Sequence, residues 1–129
     1  MWVKICGVRS LEAALHAQQC GANAVGLNLH PPSARYIAPR EAARICEALD
    51  IETVLVVVNR SEADLNELVE TIRPNSVQLH GDEPPGFGAS LDVAVFKAHA
   101  ARPGVNEQVL SHGGSRFLLD AWVPGRQGG

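Results

Sequence analysis

The chain has 129 residues, of which 46% are hydrophobic and 19% charged, and its formal net charge is -3. This composition is typical of one soluble globular domain, and it excludes a disordered, collagen-like or coiled-coil chain. No block of basic residues offers a surface to nucleic acid or to an anionic membrane. We therefore expect a single domain over 1–129 with small-molecule partners.

The cysteines and the N-terminal segment bear on compartment. Cys6, Cys20 and Cys46 are an odd number without C-x-x-C spacing, which argues against a disulfide framework and a thiolate zinc site. The opening MWVKICGVRS has no charged leader before an apolar run, and the chain contains no run of about 18 apolar residues. We therefore expect a cytoplasmic protein with reduced thiols that neither spans a membrane nor is exported.

Short apolar runs alternate with segments of helical period along the chain. The predicted strands are 2–6, 23–28, 53–58, 76–80, 93–97 and 116–120. Their nearly continuous apolar character is typical of strands covered on both faces. The strands start about every 23 residues, as in compact βα units with short loops. The pattern predicts repeated βα units around a parallel sheet.

Five segments between the strands are candidate helices, at 10–20, 39–49, 61–72, 84–90 and 104–111. Ser10 and Ser61 are the predicted N-caps of the first and third helices, and Pro39 suits the first turn of the second. The fourth segment contains two prolines and two glycines, so it allows a single turn at most. The fifth is a short helix.

Polar or reactive residues collect at the carboxyl ends of the predicted strands. They are Cys6, Asn28, Asn59, His80, Lys97 and Asp120. In parallel α/β folds ligands bind at this edge, and in (β/α)8 barrels several strands contribute catalytic groups. The pattern predicts an active-site rim. For Asn28 and Asn59 taken singly, the end of an apolar strand is an equally good explanation.

Five motifs follow one another in a recognisable order. They are VKICGVRS at 3–10, GLNLHPPSARYIAP at 26–39, VVVNRS at 56–61, VQLHGDE at 77–83 and LLDAWVPGRQGG at 118–129. Together they resemble phosphoribosylanthranilate isomerase, an enzyme of tryptophan biosynthesis. The resemblance implies a (β/α)8 barrel and a cofactor-free Amadori rearrangement of a phosphorylated substrate, N-(5-phosphoribosyl)anthranilate. It maps the family's general base onto Cys6 and its general acid onto Asp120.

The resemblance also assigns a role to Arg35, in the SARY segment. It corresponds to the arginine with which the family binds the anthranilate carboxylate, and a guanidinium suits bidentate recognition of a carboxylate. Ala34 stands where the family usually has proline, and GVRS replaces the common GITR or GITN after the first strand. These departures affect loop geometry and leave the guanidinium in place. A solvated surface arginine is the alternative.

The residues themselves allow other roles. A free cysteine such as Cys6 usually packs as a small buried hydrophobe, whereas a nearby positive charge would favour a basic thiolate. Lys4 shares its strand face and supplies that charge, or else belongs to an ion network inside the barrel. Burial at the end of an apolar strand would favour the protonated carboxyl of a general acid at Asp120; a salt bridge or N-cap is the alternative.

Gln78 and His80 share a strand face by the same period of two, so we expect both to contact the substrate. The five histidines lack paired ligand spacing, so we expect no metal site. A flavodoxin-like receiver domain would match the length and the position of Lys97. It requires acidic residues on the first strand, where this chain has KICG. Another phosphosugar isomerase or epimerase of barrel fold remains open.

The length is short for a closed barrel. Eight units at this spacing require about 180 residues, so 129 residues supply six of the eight. The chain ends at Gly128 and Gly129, where the family continues GGTGK. We therefore expect an incomplete barrel that lacks the phosphate-binding loops and has little activity. Its first and sixth strands would be open edges prone to self-association, and a non-catalytic fragment is the alternative.

Overall fold

The computed structural model describes residues 1–112 and 116–121, where strands and helices alternate except between the fourth and fifth strands, which no helix separates. The strands are β1 Lys4–Cys6, β2 Ala24–Asn28, β3 Glu52–Val57, β4 Ser76–Leu79, β5 Ala94–Ala100 and β6 Phe117–Asp120. The helices are α1 Leu11–Gln19, α2 Pro39–Ala48, α3 Glu62–Ile72 and α4 Val105–His112. None of the helices in this part of the chain is long and apolar enough to span a membrane.

The order and direction of the strands in the sheet define the topology. All neighbouring strands are parallel, and their order in the sheet is β1-β2-β3-β4-β5-β6, the same as their order in the chain. A doubly wound receiver domain would reverse direction at a switch point in the sheet. The sequential order instead belongs to a barrel wound in one direction, here open between β1 and β6 within the described residues. The predicted incomplete (β/α)8 barrel is confirmed.

Helix starts follow the predicted caps. The Ser10 side chain accepts a hydrogen bond from the Ala13 N–H (3.2 Å), and the Ser61 side chain accepts one from the Asp64 N–H (3.1 Å). Each bond satisfies a backbone donor that has no partner within its helix. The second helix begins with Pro39, whose missing N–H is not needed there.

The two faces of the sheet carry different side chains because the strand repeat is two residues. The outer face packs against the helices in one apolar core, represented by Val25, Leu27, Leu55, Leu65 and Ile45. Alternate residues point inward and are more polar. Among them are Lys4, Cys6, Glu52, Gln78 and Asp120. This inner face opens at the carboxyl ends of the strands.

One prediction was wrong in detail. β5 continues to Ala100, so Lys97 lies within the strand and not at its end. The strand continues because Lys97–Ala100 pair with Phe117–Asp120 of β6. His99 is buried there, with its ring 4.9 Å from the ring of His112 in an edge-on contact. The segment 84–90 forms turns and no helix, as its prolines and positive-φ glycines lead one to expect.

Candidate active site

A cleft of about 710 Å³ lies at the carboxyl ends of β2 to β6. Five of the predicted rim residues line it, namely Asn28, Asn59, His80, Lys97 and Asp120. Cys6, Gln78 and Arg35 are not among the residues that line this cleft. The site therefore consists of the cleft and of groups beside it, which the following contacts connect.

Cys6 ends β1 and lies opposite Gly26 of β2. A Cβ atom at Gly26 would lie 2.7 Å from Cys6 Sγ, so the glycine makes room for the thiol on the inner face. The thiol is exposed and does not pack as a buried hydrophobe. Lys4 is close enough to interact electrostatically with Cys6. Burial lowers the pKa of the Lys4 ammonium, and the charge of Cys6 acts in the opposite direction.

Asp120 ends β6, and hydrogen bonds hold both of its carboxyl oxygens. Oδ1 accepts from the Ala121 N–H (2.9 Å), and Oδ2 lies 3.2 Å from His80 Nε2. The other ring nitrogen of His80 lies 3.0 Å from Gln78 Nε2, and Lys4 Nζ donates to Gln78 Oε1. The structure thus joins three predicted site residues, Gln78, His80 and Asp120, in one chain of hydrogen bonds.

Arg35 lies in the loop between β2 and α2 and packs beside the end of β1. A Cβ atom at Gly7 would lie 2.5 Å from Arg35 Cδ, so the arginine side chain covers the residue that follows Cys6. Ser33 Oγ anchors this loop, because it accepts hydrogen bonds from Asn28 Nδ2 and from the Arg35 N–H, both at 3.1 Å. The geometry brings Arg35 to the Cys6 end of the site.

Glu83 is a buried residue beside the cleft that the sequence analysis did not single out. The residue is 5% exposed, and its carboxylate accepts hydrogen bonds from the Asn59 N–H (2.7 Å), the Gly81 N–H (2.9 Å) and Lys97 Nζ (3.1 Å). Burial raises the pKa of Glu83, but hydrogen bonds from backbone N–H groups, that of Asn59 first, and the Lys97 ammonium outweigh it and hold the pKa below its usual value. Glu83 thereby ties the loops after β3 and β4 to β5. The GDE in the fourth motif was its signal.

A second ion pair crosses the inner face farther from the rim. Arg116 donates to both carboxylate oxygens of Glu52, at 2.6 and 3.0 Å, and its guanidinium lies 4.5 Å from the centre of the Phe96 ring. The Arg116 hydrogen bond lowers the pKa of Glu52. Lys4 interacts electrostatically with both members of the pair. Lys4 therefore takes part in the interior ion network and also lies near Cys6.

No three histidine, cysteine, aspartate or glutamate side chains within residues 1–112 and 116–121 are grouped to hold a metal ion. The last part of the fifth motif, 122–129, lies outside the described residues.

Comparison with known proteins decides the family. The family model for N-(5'-phosphoribosyl)anthranilate (PRA) isomerase matches residues 3–129. The chain belongs to the PRA isomerase family. The PRA isomerase of Geobacter metallireducens is 41% identical over 130 residues, which cover 98% of this chain and 64% of that protein. That of Pseudomonas putida is 37% identical over 131 residues, with the same coverage of 98% and 64%.

Solved PRA isomerases share the fold. The crystal structure from Thermotoga maritima has a TM-score of 0.91 and 34% identity, and the match covers 100% of this chain and 65% of that one. A PRA isomerase in complex with reduced 1-(o-carboxyphenylamino)-1-deoxyribulose 5-phosphate has a TM-score of 0.88 and 35% identity, covering 95% and 66%. The chain spans about 64% of the length of the curated PRA isomerases that it matches.

The two departures from the PRA isomerase motifs contact each other. Arg9 of GVRS donates from Nη1 to the carbonyl oxygen of Ala34, at 3.1 Å. This bond joins the loop after β1 to the residue before Arg35. It restrains Ala34, which lacks the rigid ring of a proline.

Proposed function

We propose that a protein carrying this segment in a complete barrel isomerises N-(5-phosphoribosyl)anthranilate to 1-(2-carboxyphenylamino)-1-deoxyribulose 5-phosphate, in tryptophan biosynthesis. The proposal rests on the thiol of Cys6 and the carboxyl group of Asp120, which lie at the carboxyl ends of β1 and β6 in a chain of the PRA isomerase family. A phosphorylated ligand is supported by the related enzyme that was crystallised with a reduced product analogue. The site needs a free thiol, which suits a cytoplasmic location.

The proposed reaction has two proton-transfer steps that use these groups. Asp120 protonates the ribose ring oxygen as the C1–O bond breaks, which opens the ring and leaves a Schiff base between C1 and the anthranilate nitrogen. Cys6 as thiolate removes the C2 proton, and the electron pair moves to give an enolamine. Proton transfer from the C2 hydroxyl to C1 then gives the aminoketose. C1 is reduced and C2 oxidised within one molecule, so no cofactor is required.

Arg35 is proposed to bind the anthranilate carboxylate. Support comes from its packing over Gly7, next to Cys6, and from the anchoring of its loop by Asn28 and Ser33. His80 is proposed to contact the substrate because it lines the cleft beside Asp120. Both assignments place polar groups around a substrate that carries a carboxylate and a phosphate.

Full activity is proposed to require two further βα units. The described strands form six of the eight needed for closure, and β1 and β6 each have one strand partner. In barrel enzymes the loops after the seventh and eighth strands commonly bind phosphate. Without those units, the proposal predicts weak activity and self-association through the open edges.

The test measures how fast a full-length protein that carries this segment converts the substrate, followed as loss of the substrate's fluorescence. Cys6→Ser and Asp120→Asn should each lower kcat by about 10²–10⁴-fold, as expected for loss of a catalytic acid or base. Cys20→Ser is the matched control, because Cys20 is an exposed thiol at the end of α1. Near-wild-type turnover of Cys6→Ser or Asp120→Asn would overturn the corresponding assignment. Faster turnover of a simple aldose phosphate would favour another sugar isomerase.

A further inference from the structure

The inner face carries a continuous chain of four polar side chains from three strands and the residue after β4. Lys4 of β1 donates to Gln78 of β4, Gln78 is bonded to His80 (3.0 Å), and His80 is bonded to Asp120 of β6 (3.2 Å). Gln78 is 2% exposed, so its amide group is enclosed by these partners. Water therefore does not replace the hydrogen bonds of this amide group.

The chemistry of the first member sets the direction of every bond. A lysine ammonium has only donors, so the Gln78 oxygen must face Lys4 and the Gln78 NH₂ group must face His80. An NH₂ group only donates, so His80 Nδ1 must accept and carry no proton. The neutral imidazole ring then holds its proton on Nε2 and donates it to Asp120 Oδ2.

We propose that Gln78 is a positioning residue, which fixes the Nε2–H tautomer of His80 and through it the orientation of the Asp120 carboxyl group. This inference rests on the proposed function of Asp120 as general acid. With Oδ1 bonded to the Ala121 N–H and Oδ2 to His80, the carboxyl group cannot rotate without breaking a bond. These two bonds leave one lone pair free on each oxygen, in a fixed direction, and the acid form carries its proton there, held in place for transfer to a bound substrate.

The same chain of hydrogen bonds also begins beside the proposed base, Cys6. Lys4, which orients Gln78, also interacts electrostatically with Cys6 two residues later on the same strand. One lysine therefore borders the proposed base and anchors the chain that leads to the proposed acid. Gln78 is the only member of the chain that both accepts and donates through an amide group, so it alone converts the fixed charge of Lys4 into a tautomer of His80.

Gln78→Glu is the decisive variant. Glutamate keeps the shape and the contact with Lys4, but it offers His80 an acceptor where glutamine offered a donor. His80 Nδ1 must then carry a proton. A ring with a bare Nε2 binds the proton of Asp120, and a doubly protonated ring stabilises the Asp120 carboxylate. Either form opposes proton donation, whereas a purely structural role of residue 78 would be preserved.

The measurements use the full-length protein labelled with ¹⁵N-histidine. In the wild type we expect the ¹⁵N signals of His80 to show a bare Nδ1 and a protonated Nε2; in Gln78→Glu we expect a protonated Nδ1. We expect kcat to fall at least about tenfold with little change in KM. Gln78→Met, which has neither donor nor acceptor of comparable strength, should give mixed tautomers and an intermediate kcat.

A second background separates tautomer control from packing. His80→Gln supplies an N–H donor to Asp120 that has no tautomer, so adding Gln78→Glu to it should produce little further loss of kcat. The inference is overturned if His80 Nδ1 still carries no proton in Gln78→Glu. It is also overturned if adding Gln78→Glu to His80→Gln lowers kcat as much as Gln78→Glu does in the wild type. Turnover that survives Asp120→Asn would defeat the proposed acid instead, and the ring signals would still decide the role of Gln78.

Discussion

Glu83 and Lys97 form an ion pair that is almost completely shielded from water, with Lys97 Nζ 3.1 Å from Glu83 Oε2 and side-chain exposures of 2% and 9%. Lys97 also donates to the Gly81 carbonyl oxygen. The Glu83 carboxylate in turn holds the backbone N–H groups of Asn59 and Gly81. The pair therefore supports the loops that form one wall of the cleft, as well as joining β5 to the loop after β4.

Removal of the Glu83 charge should strongly destabilise the protein. Glu83→Gln leaves a buried ammonium group without its counter-ion, and such changes lower the free energy of unfolding by about 3–5 kcal/mol. Urea unfolding measures the change. Glu41→Gln is the control, because its pair with Arg44 is exposed on α2 and should contribute less than about 1 kcal/mol. Combining Glu83→Gln with Lys97→Met should recover part of the loss. Equal losses of stability in Glu83→Gln and Glu41→Gln would contradict the proposed importance of burial.

Gly26→Ala should slow the reaction without unfolding the chain. The new methyl group would lie 2.7 Å from Cys6 Sγ and must displace the thiol. Misplacement of a reacting group by about 1 Å costs on the order of 10²-fold in rate, so kcat should fall while KM changes little. Steady-state kinetics, with circular dichroism as a check on folding, decide the matter. A normal kcat alongside a displaced thiol would remove Cys6 from the mechanism.

Arg35→Ala should weaken substrate binding. A charge-assisted hydrogen bond contributes about 1.5–3 kcal/mol, which corresponds to roughly a 10–150-fold rise in KM. Arg44→Ala, an exposed arginine on α2, serves as the matched control. Arg9→Ala should have a smaller effect in the same direction, since Arg9 restrains the loop through the Ala34 carbonyl oxygen. If Arg35→Ala and Arg44→Ala give the same KM, Arg35 does not bind the substrate.

His99 should make the protein less stable in mild acid. Burial lowers its pKa, with smaller contributions from His112 and Lys97, and within the described part of the chain its buried Nε2 has no hydrogen-bond partner. The unfolded state therefore takes up a proton as the pH falls below about 6.5, while the folded state stays neutral until its lower pKa is reached. The free energy of unfolding should decline across that interval and then level off.

The pH dependence can be assigned with two variants. His99→Phe keeps a ring against His112 and removes the titrating group, so urea midpoints between about pH 7 and 5 should become flatter. His16→Phe is the comparison, since His16 lies at an exposed position of α1. An unchanged slope in His99→Phe would assign the acid sensitivity to other groups.

The sequence was sufficient for the βα order because that information is local. Apolar runs and capping residues such as Ser10 and Ser61 identify each unit, and each strand pairs with the strand before it. The period of two also placed Gln78 and His80 on one face. The sequence could not predict their hydrogen-bond partners, because Lys4 is 74 residues from Gln78 and Asp120 is 40 residues from His80 in the chain. No local pattern encodes such a pairing.

The errors have the same origin. The predicted fifth strand stops at Lys97 and leaves out His99, because the burial of His99 depends on His112, which α4 carries against β5. Glu83 was not among the predicted site residues, and only its pairing with Lys97 explains why it is buried. In both cases a charged or titratable side chain is buried because folding supplies a partner from another element.

The agreement between chain order and sheet order has a consequence for folding. Each new strand docks on the strand synthesised just before it, so most pairings close short loops and the nascent chain can extend its sheet one unit at a time. The bond between Arg116 and Glu52 is an exception, since it joins residues 64 positions apart and requires β6 to be in place. Quenching or crosslinking across that pair would therefore time the arrival of the sixth unit during refolding.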